Sequence, residues 1–387
     1  MHTYLAFHLP STTKSTTSTP TIMAMERAVR LWLTENHVPQ STWSALLRKL
    51  GRSYTIYGHL LLLPPNALSG PEWDSISTHL SSSSIQDLYA LLAKHLKITN
   101  IALNKPIPPL QTNSQDENIL RAPTNFTPVY GDFGPSTCDS PPTPEDFDAA
   151  FWTTCRQNGI SQTWAPRWTM FSRGNVSEKA RLLTLASVVR AVEEGRLDGR
   201  GSAAVDLYCG IGYFAFSYVK AGVGVVLGWD LNAWSVEGLR QGARGNKWEV
   251  EVFDGEEESM ANGDARLLVF NESNEHAPER IARMKGRLPP IRHVNCGMLP
   301  SSRASLLLAA KVLDAEYDGW VHIHENFLVE EIEAKAEGTM REFKGLLEEQ
   351  RGGDVRVEVD FVSRLKSYAP GVVHCVIDIS VGAKDMT

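Results

Sequence analysis

Between Ile22 and Leu50 apolar side chains recur every three or four residues, first in Ala24-Met-Glu-Arg-Ala-Val-Arg-Leu-Trp-Leu33 and again in Gln40-Ser-Thr-Trp-Ser-Ala-Leu-Leu-Arg-Lys-Leu50. That period gathers them on one face of a helix. The pattern predicts two helices, the second capped by Ser41 or Thr42 and stopped by Gly51. Tyr54–Tyr57 and His59–Leu63 read as strands around Gly58, and helical stretches follow near Trp73–Leu80 and Ile85–Leu96. Residues 22–102 are therefore expected to form a small α+β domain. Residues 1–21 are Ser/Thr-rich and carry one cation, Lys14, which reads as a disordered leader. From 103 to 162 the composition turns to Pro, Asn, Thr, Ser and Asp, the mark of a linker or an excursion.

Beyond residue 163 the pattern changes. A helix is expected from Asn175 or Ser177 to Glu194, ended by Gly195. Short apolar runs then recur at 203–208, 223–229, 266–271, 291–296, 319–325, 355–363 and 371–379. Helical stretches follow Phe214, Asn232, Pro278, Ser301 and Leu328. Strands alternating with helices argue for a parallel, doubly wound α/β sheet. The last two strands lack an intervening helix, so Ser367–Gly371 should turn them into an antiparallel hairpin. Residues 163–387 are accordingly expected to adopt a Rossmann-like, class I methyltransferase fold that binds S-adenosylmethionine (SAM).

Composition narrows the class. The 387 residues are 42% apolar and 21% charged, as in ordinary soluble proteins. No apolar run has the length of a membrane span. Five cysteines (138, 155, 209, 296, 375) form no CxxC pair, which fits a reducing compartment, and no signal peptide is evident. A cytoplasmic monomer is expected. The net charge of −7 argues against a broad nucleic-acid surface, but residues 1–121 carry ten Lys/Arg against seven Asp/Glu. RNA therefore stays admissible as a partner.

The candidate chemistry lies where strands meet helices. Asp206-Leu-Tyr-Cys-Gly210-Ile-Gly212-Tyr-Phe214 ends a strand in an acid and then supplies glycines that let backbone approach a ligand at a helix N-terminus. Asp230 ends the next strand, 20 residues beyond Gly210, where a ribose is gripped. Gly210 to Ala215 also matches GxGxxA, so NAD remains an alternative. The position of Asp206 and the terminal hairpin favour SAM. Ser172 and Lys179 stand at a helix start, as ligand contacts or as solvated charges. Ser273 and Asn274 follow the third strand, within reach of an adenine edge or in a plain polar loop. Asn295 follows the fourth strand and should face the substrate. His293, His322 and His324 are candidates by location only. Strand alternation puts His322 and His324 on one face and Glu325 on the other, and no third ligand stands at suitable spacing, so no metal is expected.

Four stretches together identify a family. Phe171-Ser-Arg-Gly-Asn-Val-Ser-Glu-Lys179, Asp206–Phe214, Asn295-Cys-Gly-Met-Leu-Pro-Ser-Ser302 and His322-Ile-His-Glu-Asn326 resemble, in order and spacing, the wybutosine-synthesising tRNA aminocarboxypropyl transferases. These are related to the tRNA (guanine-N1-)-methyltransferases. The resemblance implies transfer of the 3-amino-3-carboxypropyl arm of SAM to carbon 7 of 4-demethylwyosine in tRNA-Phe, with methylthioadenosine leaving. It further implies that Ser172 and Lys179 contact SAM, that Asp230 binds the ribose, and that Ser273-Asn274 stand where the family has Asp-Asn. Glu272 is a possible substitute for that missing acid. The alternatives are the sibling methyltransferase and a non-catalytic tRNA-binding protein.

Overall fold

The computed structural model describes residues 19–50, 54–77, 80, 82–105, 118–255 and 265–384. The chain divides into two compact units, one of residues 1–118 and 123–136, the other of residues 119–122 and 137–387. All but the last three residues of the expected leader, and the expected Gly51 stop, lie outside the described residues.

The first unit contains α1 (Thr19–Glu35), α2 (Gln40–Leu50), β1 (Thr55–Tyr57), β2 (Leu60–Leu63), α3 (Pro71–Ser77), α4 (Ser82–Leu96), β3 (Asn100–Leu103) and β4 (Thr127–Tyr130). Met25, Ala28, Val29, Trp32 and Leu33 of α1 are buried, the one-sided stripe that the sequence pattern requires. α2 starts at Gln40, so neither Ser41 nor Thr42 is its cap; the Thr42 hydroxyl instead donates to Pro39 O. The strands form a sheet ordered β1-β2-β3-β4, with β2 and β3 parallel and the outer pairs antiparallel.

The second unit opens with α5 (Pro144–Ala149) and the hairpin β5 (Thr153–Gln157) and β6 (Ile160–Trp164). Regular structure therefore occurs within the stretch expected as linker or excursion. Asn158 and Gly159 both have positive φ, the backbone of a tight two-residue hairpin turn. Next come α6 (Val176–Leu182), α7 (Ala186–Leu197), β7 (Ala203–Asp206), α8 (Ala215–Ala221), β8 (Val225–Trp229), α9 (Ala233–Gly245), β9 (Val250–Phe253) and β10 (Leu267–Phe270). After these follow α10 (Ala277–Arg283), β11 (Ile291–Cys296), α11 (Leu306–Val312), β12 (Gly319–Leu328), α12 (Ile332–Arg351), β13 (Val357–Ala369) and β14 (Val372–Val381).

The expected helix from 175 to 194 is two helices, because Leu185 is extended and separates α6 from α7. Gly195 does not end α7, which runs on to Leu197. A Cβ there would lie 2.2 Å from Gly201 O, so this glycine serves close packing.

Eight strands form one sheet ordered β13-β14-β12-β11-β7-β8-β10-β9. β7 through β12 run parallel, and β14 lies antiparallel between β12 and β13. Helices cover both faces over two apolar clusters, one around Val205, Val294 and Ile323, the other around Phe214, Phe216 and Val226. This is the doubly wound class I methyltransferase-like fold with its terminal antiparallel hairpin. The hairpin strands continue past the expected turn, leaving only Pro370-Gly371 between them.

Candidate active site

The site lies beyond the carboxyl ends of β7 and β8, where a doubly wound sheet leaves a crevice. Asp206 ends β7 fully buried. Its Oδ2 accepts from Ala215 N, at the start of α8, and its Oδ1 accepts from Tyr208 N and from Asn295 Nδ2 at 3.2 Å. Burial pushes its carboxyl up to about 7 despite these donors. Asp206 therefore ties β7, α8 and β11 together.

Asp230 keeps partial solvent access. Its Oδ2 accepts from Gly210 N and its Oδ1 from Asn232 N, both at 2.9 Å. Burial raises its carboxyl to about 6. The glycines are obligatory here. Gly212 has φ +86°, and a Cβ on it would meet the Phe216 ring at 2.7 Å; Gly210 has φ +52° with the Tyr213 ring at 2.8 Å. Asn232 caps α9 by accepting from Trp234 N, while its Nδ2 donates to Leu120 O and Trp168 O.

Lys179 is only 3% exposed and has no carboxylate partner among the described residues. Its Nζ donates to Gln157 Oε1 at 2.6 Å and Gln162 Oε1 at 2.8 Å, and lies over the Phe171 and Tyr213 rings. Burial lowers its pKa to about 8. The sequence left Lys179 open between ligand contact and solvated charge; the fold removes the solvated alternative. Gln162 also donates to Gly212 O, so the β5–β6 hairpin braces both the lysine and the glycine loop. Sequence reasoning missed these glutamines, since only the folded hairpin brings them to Lys179. The Ser172 backbone N–H donates to Tyr213 Oη, and that hydroxyl donates to Met170 O, which fixes the segment ahead of α6.

After β10, Asn274 Nδ2 donates to Leu207 O, and Ser273 Oγ accepts from Glu275 N within its own turn. Glu272, the other candidate for the missing acid, is already engaged within the fold. Its carboxylate is paired with Arg280 and accepts from Trp229 Nε1, and although burial opposes ionisation, Arg280 holds its pKa below the usual value.

The four catalytic candidates lie deeper than the sequence implied. Asn295 is buried against Asp206 and does not line an open loop, and its Oδ1 has no partner among the described residues. His293 and His322 stack at 5.4 Å, with His293 Nδ1 and His322 Nε2 3.1 Å apart. His322 Nδ1 is 2.7 Å from Asp378 Oδ1. Arg181 bridges Asp378 and the buried Glu178, which also accepts from Ser363 Oγ. Burial resists ionisation of Asp378, but His322 and Arg181 outweigh it and hold the carboxyl at about 2. These histidines thus belong to a buried polar layer between the sheet and α6 and α8. His324 Nδ1 faces His374 Nε2 at 3.0 Å, its ring lies 5.0 Å from Phe214, and its Nε2 has no partner among the described residues. Burial drives the pKa of both His293 and His324 well down, so both rings are neutral. Asn326, at the end of the same strand, has buried Oδ1 and Nδ2 atoms without partners among the described residues.

Among the described residues no cluster of three or more His, Cys, Asp or Glu could hold a metal ion, and no helix is long and apolar enough to cross a membrane. What the site offers is a partly accessible carboxylate, glycine-lined backbone and a buried cation. These suit a ligand with a ribose and a carboxylate.

No protein-family model matches the chain. It is 38% identical over 328 residues to tRNA wybutosine-synthesizing protein 2 of Schizosaccharomyces pombe, covering 84% of this chain and 72% of that protein. The Saccharomyces cerevisiae protein of the same name is 32% identical over 307 residues, 73% of this chain and 60% of its own length. Among solved structures, Pyrococcus horikoshii TYW2 in complex with MeSAdo superimposes with a TM-score of 0.58 at 17% identity, over 93% of this chain and all of that one.

Proposed function

Because the chain belongs to the tRNA wybutosine-synthesizing protein 2 family, we propose that it is a SAM-dependent tRNA aminocarboxypropyl transferase. It moves the 3-amino-3-carboxypropyl arm to carbon 7 of 4-demethylwyosine beside the anticodon of tRNA-Phe. The supporting observation is the Asp206–Phe214 loop with Asp230 and the buried Lys179, in a chain 38% identical to the fission-yeast protein.

Each residue then has a defined task. Asp230 accepts from the ribose hydroxyls while holding Gly210 N. Gly210 and Gly212 let the loop turn through left-handed backbone close against the Tyr213 and Phe216 rings, which sets its path along the ligand. Lys179 exchanges its glutamine acceptors for the carboxylate of the amino-acid arm, a stronger, charge-assisted contact. Ser172 closes that end of the cleft, and Ser273-Asn274 face the adenine.

SAM supplies a sulfonium that activates three carbons. Attack by carbon 7 on the γ-carbon forms the new C–C bond, breaks the γ-carbon–sulfur bond and releases methylthioadenosine, after which the ring proton passes to solvent. Aiming that carbon, and not the methyl, is the main catalytic device. Asn295 and His324 act by holding this end of the sheet in place. The free state of all five cysteines fits a reducing compartment such as the cytoplasm.

The test uses SAM labelled separately in the methyl and in the carboxypropyl carbons, with tRNA-Phe from cells lacking the enzyme. Carboxypropyl label should enter the tRNA. Methyl label alone would make the protein a guanine-N1 methyltransferase.

A further inference from the structure

On the second unit, a solvent-open concavity of about 480 Å³ is lined by Arg156, Lys220, Lys247 and Arg266 together with Trp248. Among the described residues no carboxylate lines it. In a chain of net charge −7, four cations drawn from four separate segments, with no acid beside them among the described residues, need an explanation. Arg156 comes from β5, Lys220 from the end of α8, Lys247 from the turn after α9, and Arg266 from just before β10.

Two of the four have structural work. Arg266 donates to Val219 O and Val223 O, and Lys220 donates to Asn158 O. Arg266 covers carbonyls at and just past the negative end of α8, and Lys220 covers one in the β5–β6 turn; left bare, these would repel an anion. The side chains of Arg156 and Lys247 are exposed and make no hydrogen bond or ion pair among the described residues. Their charge is not used by the fold. Trp248 is half-buried, held edge-on to Phe216 with ring centroids 5.4 Å apart, and brings an aromatic wall to the cationic one.

Spread cations with an aromatic group, in a shallow concavity, suit a polyanion better than a compact metabolite, which needs convergent contacts. The concavity lies at the end of α8 away from the crevice, where β9 and β10 begin, so only an extended ligand reaches both. Lys220 is five residues beyond Ala215, where the glycine loop hands over to α8, so it lies roughly 8 Å further along the helix axis. An RNA whose reacting base enters the cleft can carry its neighbouring backbone that far.

We propose that this concavity binds the phosphate backbone of the RNA substrate. The inference rests on the tRNA-modifying function proposed above, and it locates on the catalytic unit a contact that sets substrate affinity.

The experiment compares the wild type with the double variant Arg156→Glu/Lys247→Glu in the full chain, measuring tRNA-Phe affinity over a salt series together with SAM affinity. Loss of two phosphate contacts should lower the slope of log affinity against log salt by about 2. At fixed moderate salt, tRNA affinity should fall on the order of tenfold or more, with SAM affinity retained. Wild-type slope and tRNA affinity in the variant would overturn the inference while leaving the enzyme's function intact. A wild type that neither binds nor modifies tRNA would overturn both.

Discussion

Asn295 donates from Nδ2 to Oδ1 of Asp206 across 3.2 Å, joining the ends of two adjacent parallel strands beneath the glycine loop. The contact holds a carboxylate that burial has already raised to about 7. Removing the donor in Asn295→Ala should raise it further and destabilise the fold by about 1–3 kcal/mol. Carbon-13 NMR of the Asp206 carboxyl reports the first effect and thermal unfolding the second. An unmoved titration would mean that the pair is incidental.

Gly212→Ala forces a side chain into left-handed backbone and against the Phe216 ring. It should cost about 2 kcal/mol or more and weaken SAM binding with it. Calorimetric unfolding and a SAM titration on the same sample check this, and full retention of both would refute the role given to the loop.

Asp230→Asn keeps the shape of the side chain but removes its charge. Affinity for SAM should fall by about 1.5–3 kcal/mol, the worth of a hydrogen bond to a charged acceptor. Isothermal titration measures it; unchanged affinity would remove Asp230 from the ribose site.

Lys179 gives a pH signature. Its folded pKa of about 8 lies below the ordinary value of 10.5. Above pH 8 the unfolded chain binds more protons than the folded one, so this residue's contribution to stability rises between about 8 and 10.5. Cofactor binding runs the other way, because the carboxylate needs the charged amine. SAM affinity should therefore decline above about pH 8 in the wild type, and Lys179→Met should bind weakly with no such decline. An identical alkaline limb in both proteins would exclude Lys179 as the carboxylate contact.

Asp378 has the opposite sign. Its folded pKa of about 2 lies below the ordinary 3.8, so its stabilisation is fully present above about pH 4 and is lost as pH falls through 2. Asp378→Asn strips the partner from half-buried Arg181 and buried His322 and should cost about 3 kcal/mol at pH 7. Denaturant unfolding should show that gap closing as pH drops below 4. A gap constant with pH would mean packing, and not charge, sets it.

The sequence by itself determined the features that local pattern encodes. Alternating apolar runs and helical periods marked the doubly wound sheet, and the missing helix before the last strand marked the hairpin. Spacing alone set Asp206, Gly210, Gly212 and Asp230 around one crevice, because strand, turn and helix are contiguous there. β9 escaped notice: Val250-Glu-Val-Phe253 is four residues long and half-buried throughout, too short a pattern to stand out.

Tertiary structure alone decided which polar groups are used up. Strand alternation correctly put His322 and His324 on one face, yet whether that face meets the cleft or the helices depends on what packs over it. Arg181 and Asp378 are 197 residues apart, and Lys179 meets its glutamines only through a hairpin folded back over the glycine loop. Period fixes the direction of a side chain. Burial and its charge depend on partners that strand order brings together across the chain, and no local spacing contains them.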